Sequence, residues 1–298
     1  EAALAYAPNN AIFGSSSLRW PVPFGLWVYN GFEKYQDKKG IGRWIFDHLG
    51  KSPVLMSSVN GETRAKVATN LLHDYGYFNG SVSYKEVPQK NPKEAKVSYV
   101  IDMARPYFLD SIAYLKYPHY ADSLIQSTRS LSVLKSEENF SVIKLEEERQ
   151  RLSNLFRNHG YYYYRPEFTT YRADTLQKSG YVSLQVVPRN GIPAEAKKQY
   201  YIGNTSVYLT GYDNEPPTDT LRLRTMTFYY SGKKPGIRPN ALMRNVFFRK
   251  GELFSQDRQT FTQEAIARMG VFRYSEFRYE PKDTTANGDT LNVNMYAT

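Results

Sequence analysis

The chain has 298 residues, a formal net charge of +10 and no cysteine. That length allows two or three domains, and the missing cysteine excludes disulfides, zinc–thiolate sites and thiol nucleophiles. The positive charge is spread along the chain rather than gathered in one run, which favours a soluble basic surface over a patch built for nucleic acid or anionic lipid.

No run approaches the apolar length of a membrane-spanning helix, and no signal peptide opens the sequence. Glu1 is therefore expected to follow a removed segment. Residues 1–50 are the least regular part, with turn signals at Pro8-Asn9-Asn10, Gly14 to Ser17 and Pro21-Val22-Pro23. Leu26-Trp27-Val28-Tyr29 reads as a short strand or a packed loop. Residues 41–49 read as an amphipathic helix through Ile41, Trp44, Ile45 and His48. Trp20, Trp27 and Trp44 are all the tryptophans, so aromatic packing is expected at this end.

A helical run carrying Val67, Ala68, Leu71 and Leu72 then ends at Gly76, and a strand through Val82 and Tyr84 follows. The same grammar returns twice. Leu145, Leu152, Leu155, Phe156 and His159 share one helical face before Gly160, and Phe261, Ala265, Ile266 and Met269 precede Gly270. Each glycine stands where a helix stops in a left-handed backbone, and each precedes a bulky pair: Tyr77-Phe78, Tyr161-Tyr162 and Val271-Phe272. At nearly equal distances beyond the glycines come Val97/Tyr99/Ile101, Val182/Leu184/Val186 and Leu291/Val293/Met295. Each run has the period of two that buries one sheet face. Three matches with this spacing make an internal repeat.

Residues 107–115 and 199–209 read as opening strands of the second and third units, followed by first helices at 121–131 and 240–248. Between opening strand and helix, the third unit carries an insertion, 211–239, with a strand-like middle at 221–230. The first unit has no evident opening strand. The expected fold class is α+β: three tandem βααββ domains at 1–104, 105–192 and 193–298, joined near Arg105 and at residues 190–193.

Chemistry is not legible. His48, His73, His119 and His159 are too scattered for a metal site, and His73 and His159 at helix ends read as structural. Glu146 to Glu148 read as a solvated helix start, since adjacent helical carboxylates diverge. Ser15 to Ser17 and Ser57-Ser58 lack a base, and no phosphate-binding loop is present. No enzyme, cofactor or metal is expected. Aromatics interleaved with arginine, as in Phe272-Arg273-Tyr274 and Phe277-Arg278-Tyr279, could stack nucleic acid, but in strands they alternate between core and water. No nucleic-acid partner is expected.

A βααββ unit with Gly-aromatic after its second helix, copied in tandem, resembles the POTRA domain. The resemblance spans nearly the whole chain and rests most on Gly76-Tyr77-Phe78, on residues 250–254 (KGELF) and on Met269-Gly270-Val271-Phe272. The stretch from Pro8 to Asn30 is similar to the N-terminal segment of Bacteroidetes members of the surface-antigen type. Tyr162 in place of the usual Phe, and the insertion, depart from the pattern.

The resemblance implies the periplasmic arm of an outer-membrane β-barrel assembly factor of the BamA/TamA kind, with a membrane barrel beyond Thr298. It implies unfolded outer-membrane proteins or accessory assembly proteins as partners, added as strands to a sheet edge. The strand after each repeat glycine, outer in its hairpin, supplies the candidate positions. These are Ser81, Val82, Ser83 and Tyr84; Glu167, Phe168 and Thr169; and Glu276, Phe277 and Arg278. The competing reading is a free-standing periplasmic module for glycan, peptidoglycan or protein.

Overall fold

The computed structural model describes residues 24–37, 39–52, 59–89, 95–210, 216–282 and 288–298. The turn signals before Phe24, Trp20, and Ser57-Ser58 lie outside them. The chain divides into two compact units, Glu1–Tyr107 and Phe108–Thr298.

In the first unit, α1 (Phe24–Phe32) and α2 (Ile41–Leu49) pack together, with the Tyr29 and Phe46 rings 5.1 Å apart. Residues 26–29 are therefore helical, not a strand or a loop. A short apolar run has no periodicity to separate the two states, and here it continues helically to Phe32. The expected aromatic packing is present in Tyr29 against Phe46, Phe32 against Tyr35 and Trp44 stacked on His48, although Trp27 and Trp44 are each more than half exposed.

Helix α3 (Gly61–Asp74) is capped by Asn60, whose side chain accepts from the Thr63 amide. It buries Ala65 and Ala68, whereas Val67 and Leu71 are exposed. The sequence carries two apolar stripes on this helix, and the small one faces inward. Gly76 then adopts φ +87°, and β1 (Ser81–Pro88) pairs antiparallel with β2 (Ala95–Asp102).

The second unit holds two further sheets. Strand β3 (Phe108–Tyr114) leads into α4 (His119–Ser127), α5 (Val142–Asn158), β4 (Thr169–Asp174) and β5 (Tyr181–Pro188). The strand order is β3-β5-β4, with β5 central, parallel to β3 and antiparallel to β4. Val182, Leu184 and Val186 are buried, as a two-residue period on the core face requires.

The α5 core face is Leu145, Glu148, Leu152, Ser153 and Phe156. Glu148 is thus no solvated helix start. The helix begins earlier, at Val142, and places this carboxylate in phase with Leu145 and Leu152, fully buried. Burial alone would raise its pKa. Arg151 (2.6 and 2.9 Å), the Tyr114 hydroxyl (2.5 Å) and the Val133 amide (3.0 Å) all donate to it, and together they hold the pKa below the usual range. Burial pushes the Tyr114 hydroxyl up to about 12, and its bond to Glu148 adds to that shift.

The third sheet contains β6 (Tyr201–Leu209), β7 (Asp219–Leu223), β8 (Met226–Tyr230), β9 (Ser275–Pro281) and β10 (Thr290–Ala297). Helices α6 (Pro239–Arg244) and α7 (Gln256–Arg268) lie between β8 and β9 in sequence. Its strand order is β7-β8-β6-β10-β9. Residues 221–230 are two strands, not one. Arg224, at φ +53°, turns the chain so that β8 pairs parallel with β6 and β7 antiparallel with β8. The insertion also feeds the core, since Met226 and Phe228 are buried beside Val207, Phe254 and Ile266. On α7, Thr262 and Ile266 face inward while Phe261 is exposed.

Within this unit the stretch after α5 joins the two sheets. Gly160 has φ +97° and its carbonyl accepts from the Tyr200 amide at 2.8 Å. A methyl group there would lie 2.9 Å from Leu253 Cδ2 and 3.2 Å from Gln199 Cβ. Tyr162 sets its ring edge-on against Phe254, 4.8 Å away.

Candidate strand-addition edges

In an antiparallel ladder, one residue exchanges both backbone bonds with its neighbour and the next turns both groups away. One fixed contact therefore sets the direction of every N–H in a strand. On β1 that contact is Val82, whose amide donates to Thr69 Oγ1 of α3 at 3.0 Å and so points away from β2. Alternation turns the Tyr84 and Glu86 amides outward as well, and Ser81 and Ser83 toward their partners Asp102 and Val100. Pro88, which has no N–H to give, ends the strand at an outward position.

Beside this edge lies a cavity of about 400 Å³ between α3 and β1, lined by Glu62, Lys66, Thr69 and Tyr84 among others. Glu62 and Lys66 form an exposed ion pair at 2.7 Å. Their mutual hydrogen bond lowers the carboxyl pKa and raises that of the amine.

On β4 the expected positions shift. Glu167 and Phe168 lie in a 3-10 turn, Pro166–Phe168, and only Thr169 is on the strand. Proline at the first position sets the turn, and the Phe168 amide closes it onto the Arg165 carbonyl at 3.0 Å. The Phe168 carbonyl accepts from Arg189 at 2.7 Å, which commits it toward β5. Thr169, Tyr171 and Ala173 therefore turn their amides outward. The side chain of Thr169 is buried, with its hydroxyl bonded to Tyr164 at 3.0 Å, and the Tyr171 hydroxyl donates to the Leu145 carbonyl at 2.6 Å.

On β9, Lys282 donates to the Thr290 carbonyl at 2.8 Å and Thr298 to that of Tyr274 at 3.1 Å. Even-numbered residues, including Glu276 and Arg278, thus face β10. Ser275, Phe277 and Tyr279 turn outward, and Pro281 again falls on an outward position. The Arg278 guanidinium bonds both Glu276 carboxylate oxygens at 2.9 Å and stands 4.9 Å from the Tyr296 ring centre. The hydrogen bond between them lowers the Glu276 pKa and raises that of Arg278.

The opening strands differ. Leu109 of β3 exchanges 2.8 Å bonds with Glu137 and Glu138. On β6, Ile202 exchanges 2.8 Å bonds with Gly251 and Glu252, and β8 covers residues 205–208. Among the described residues, β1, β4 and β9 each pair with one strand only, and so do β2, β3 and β7. Eight of the ten expected positions thus fall on strands of three different sheets, and Glu167 and Phe168 lie in the turn before β4. Glu86, Tyr171, Ala173 and Tyr279 belong with them, and only ladder parity reveals it. His73 donates to the Gly80 carbonyl and His159 to that of Leu155, both as structural groups. Among the described residues, no cluster of three His, Asp or Glu could hold a metal, and no helix is long and apolar enough to cross a membrane.

No protein-family description matches the chain, and no curated protein does. Solved structures do resemble it. POTRA domains 3–5 of BamA from Haemophilus influenzae share 11% identity at a TM-score of 0.42, over 80% of this chain and 79% of that one. BamA from Haemophilus ducreyi lacking POTRA domains 1–3 shares 11% at 0.43, over 64% of this chain and 29% of that one. The N-terminal domain of Omp85 from Thermosynechococcus elongatus shares 13% at 0.28, over 86% and 90%.

Proposed function

We propose that the chain is a non-catalytic arm on the periplasmic side of an outer membrane, built of three βααββ repeats joined near Arg105 and residues 190–193. It holds unfolded outer-membrane polypeptides or accessory assembly proteins by strand addition, ahead of a membrane barrel in the full-length protein. One observation carries the reading. In each sheet the strand after the repeat glycine is an edge strand whose alternate amides point outward. Unpaired edges of this kind are templates for an added strand, and main-chain pairing binds with little sequence preference.

The test is crosslinking of an unfolded barrel polypeptide to the full chain. Tyr84→Pro and Ala173→Pro each remove one outward donor and leave the inward ladder intact. Combined, they are expected to reduce crosslinking severalfold while circular dichroism and the melting midpoint stay near the parent's. If the folded double variant crosslinks like the parent, strand addition at β1 and β4 is wrong.

A further inference from the structure

A second cavity, of about 400 Å³, lies in the Phe108–Thr298 unit. Its wall is aromatic. Phe156 lies at the centre, with the Tyr164 ring 4.6 Å away, Tyr161 at 5.7 Å and Tyr117 at 5.9 Å. Ala121 of α4 and Ile192 and Ala196 of the segment after β5 are buried and add small apolar surface. The volume falls within the range of pockets that take small organic ligands.

The charged groups lining this cavity are all of one sign. Lys116, Arg189 and Lys197 belong to it, and no aspartate or glutamate does. None of the three makes an ion pair among the described residues. Glu195, two positions from Lys197, is outside the lining; after burial, its charge adds to the upward pKa shifts of Tyr163 and Tyr200.

The backbone holds this arrangement in place. Leu115 donates to the Val186 carbonyl at 3.0 Å, and Lys116 follows at φ +65°, a backbone that lysine rarely adopts. On the other side, Arg189 donates to Phe168 at 2.7 Å and Ala196 to Pro193 at 3.1 Å. One buried polar atom is also left over. The Tyr117, Tyr164 and Thr169 hydroxyls crowd together, and Thr169 bonds Tyr164, which leaves the Tyr117 hydroxyl buried with no bond of ordinary geometry. Buried polar atoms without partners are uncommon enough to need a reason.

We propose that this cavity binds a small aryl or arylalkyl carboxylate, with the ring among Tyr117, Phe156, Tyr161 and Tyr164 and the carboxylate at Lys116, Arg189 and Lys197. Aromatic walls favour an aromatic guest, which they can meet edge-to-face. Three cations without a counter-charge select an anion, and preformed walls lower the ordering cost of binding. The free carboxylate of a chain ending in an aromatic residue has the same chemistry as a free aryl acid.

The test uses the full chain and an isosteric series: 4-phenylbutyrate, 4-phenylbutanol and 4-phenylbutylamine, titrated by calorimetry. The carboxylate is expected to bind at least tenfold more tightly than the alcohol, and the amine most weakly. Lys116→Gln, Arg189→Gln and Lys197→Gln combined should erase that order without changing the melting midpoint. Ala196→Leu, which fills the cavity, should weaken all three ligands. Tetrapeptides ending in Phe, as free acid or amide, separate the two sources: tighter binding of the acid peptide than of phenylbutyrate assigns the site to chain ends, and the reverse assigns it to free acids. Equal affinity for the carboxylate and the alcohol, a charge order that survives the triple substitution, or no binding at millimolar concentration would each overturn the proposal.

Discussion

Asn158 and Asp257 are bonded to each other twice. Asn158 Nδ2 donates to Asp257 Oδ2 at 2.8 Å, and the Asp257 amide donates to Asn158 Oδ1 at 2.9 Å. Ser255, the N-cap of α7, adds a third bond to the same oxygen at 3.3 Å. The last residue of α5 therefore holds the first turn of α7, although the two helices belong to different sheets. Asn158→Ala removes all three bonds. It is expected to cost about 1–2 kcal/mol, as partly solvated hydrogen bonds do, read as a lower denaturant midpoint for the full chain.

Gly160 and Gly270 occupy the same place in two repeats, and both have positive φ, +97° and +63°. Alanine at either carries the left-handed backbone cost of about 1–2 kcal/mol. At Gly270 nothing lies within reach of an added methyl, whereas at Gly160 it meets Leu253 and Gln199. Gly160→Ala is therefore expected to melt several degrees below Gly270→Ala. Equal midpoints would mean that the joint yields without cost.

Glu148 links stability to pH. Its folded pKa lies below the unfolded value, so its contribution is present above the unfolded glutamate range, about 4.3, and is lost as pH falls through the folded pKa. Chemical denaturation from pH 6 to pH 3 should show this loss, and Glu148→Gln should flatten it. Glu148→Ala leaves Arg151 without its partner in a largely buried site and is expected to cost about 3 kcal/mol.

The insertion is as much core as loop. Phe228 is fully buried in the cluster with Leu242, Phe254 and Ile266. Phe228→Ala is expected to cost about 3–5 kcal/mol, a core-sized loss. A change below 1 kcal/mol would show that β7 and β8 are held only by backbone pairing.

What the sequence could and could not reveal divides along physical lines. Val182, Leu184 and Val186 and the glycine stops were legible, because period-two burial and a left-handed cap each leave a local mark. The inward phase of α3 was not, since Ala65 and Ala68 carry less hydrophobic signal than Val67 and Leu71. Glu148 was misread because its partners, Tyr114 and the Val133 amide, are distant in sequence. The edges were legible as strands but not as donors. Val82 is identified as outward by a threonine on another element, and Ser83 and Arg278, outer by sequence position, face inward by parity.

That threonine also sets a reading frame. With the Val82 amide occupied by Thr69 and Pro88 contributing none, β1 offers a visiting strand two outward donors, Tyr84 and Glu86. Each of the two also turns its carbonyl outward, so together they exchange about four main-chain bonds at about 0.5–1.5 kcal/mol each, and the entropy cost of association takes back part of that sum, which leaves weak binding. The footprint starts at a fixed residue and is too short to hold a guest for long. A polypeptide read through such a frame is sampled in brief, in-register visits, and any longer grip must come from engaging a second frame on the same chain.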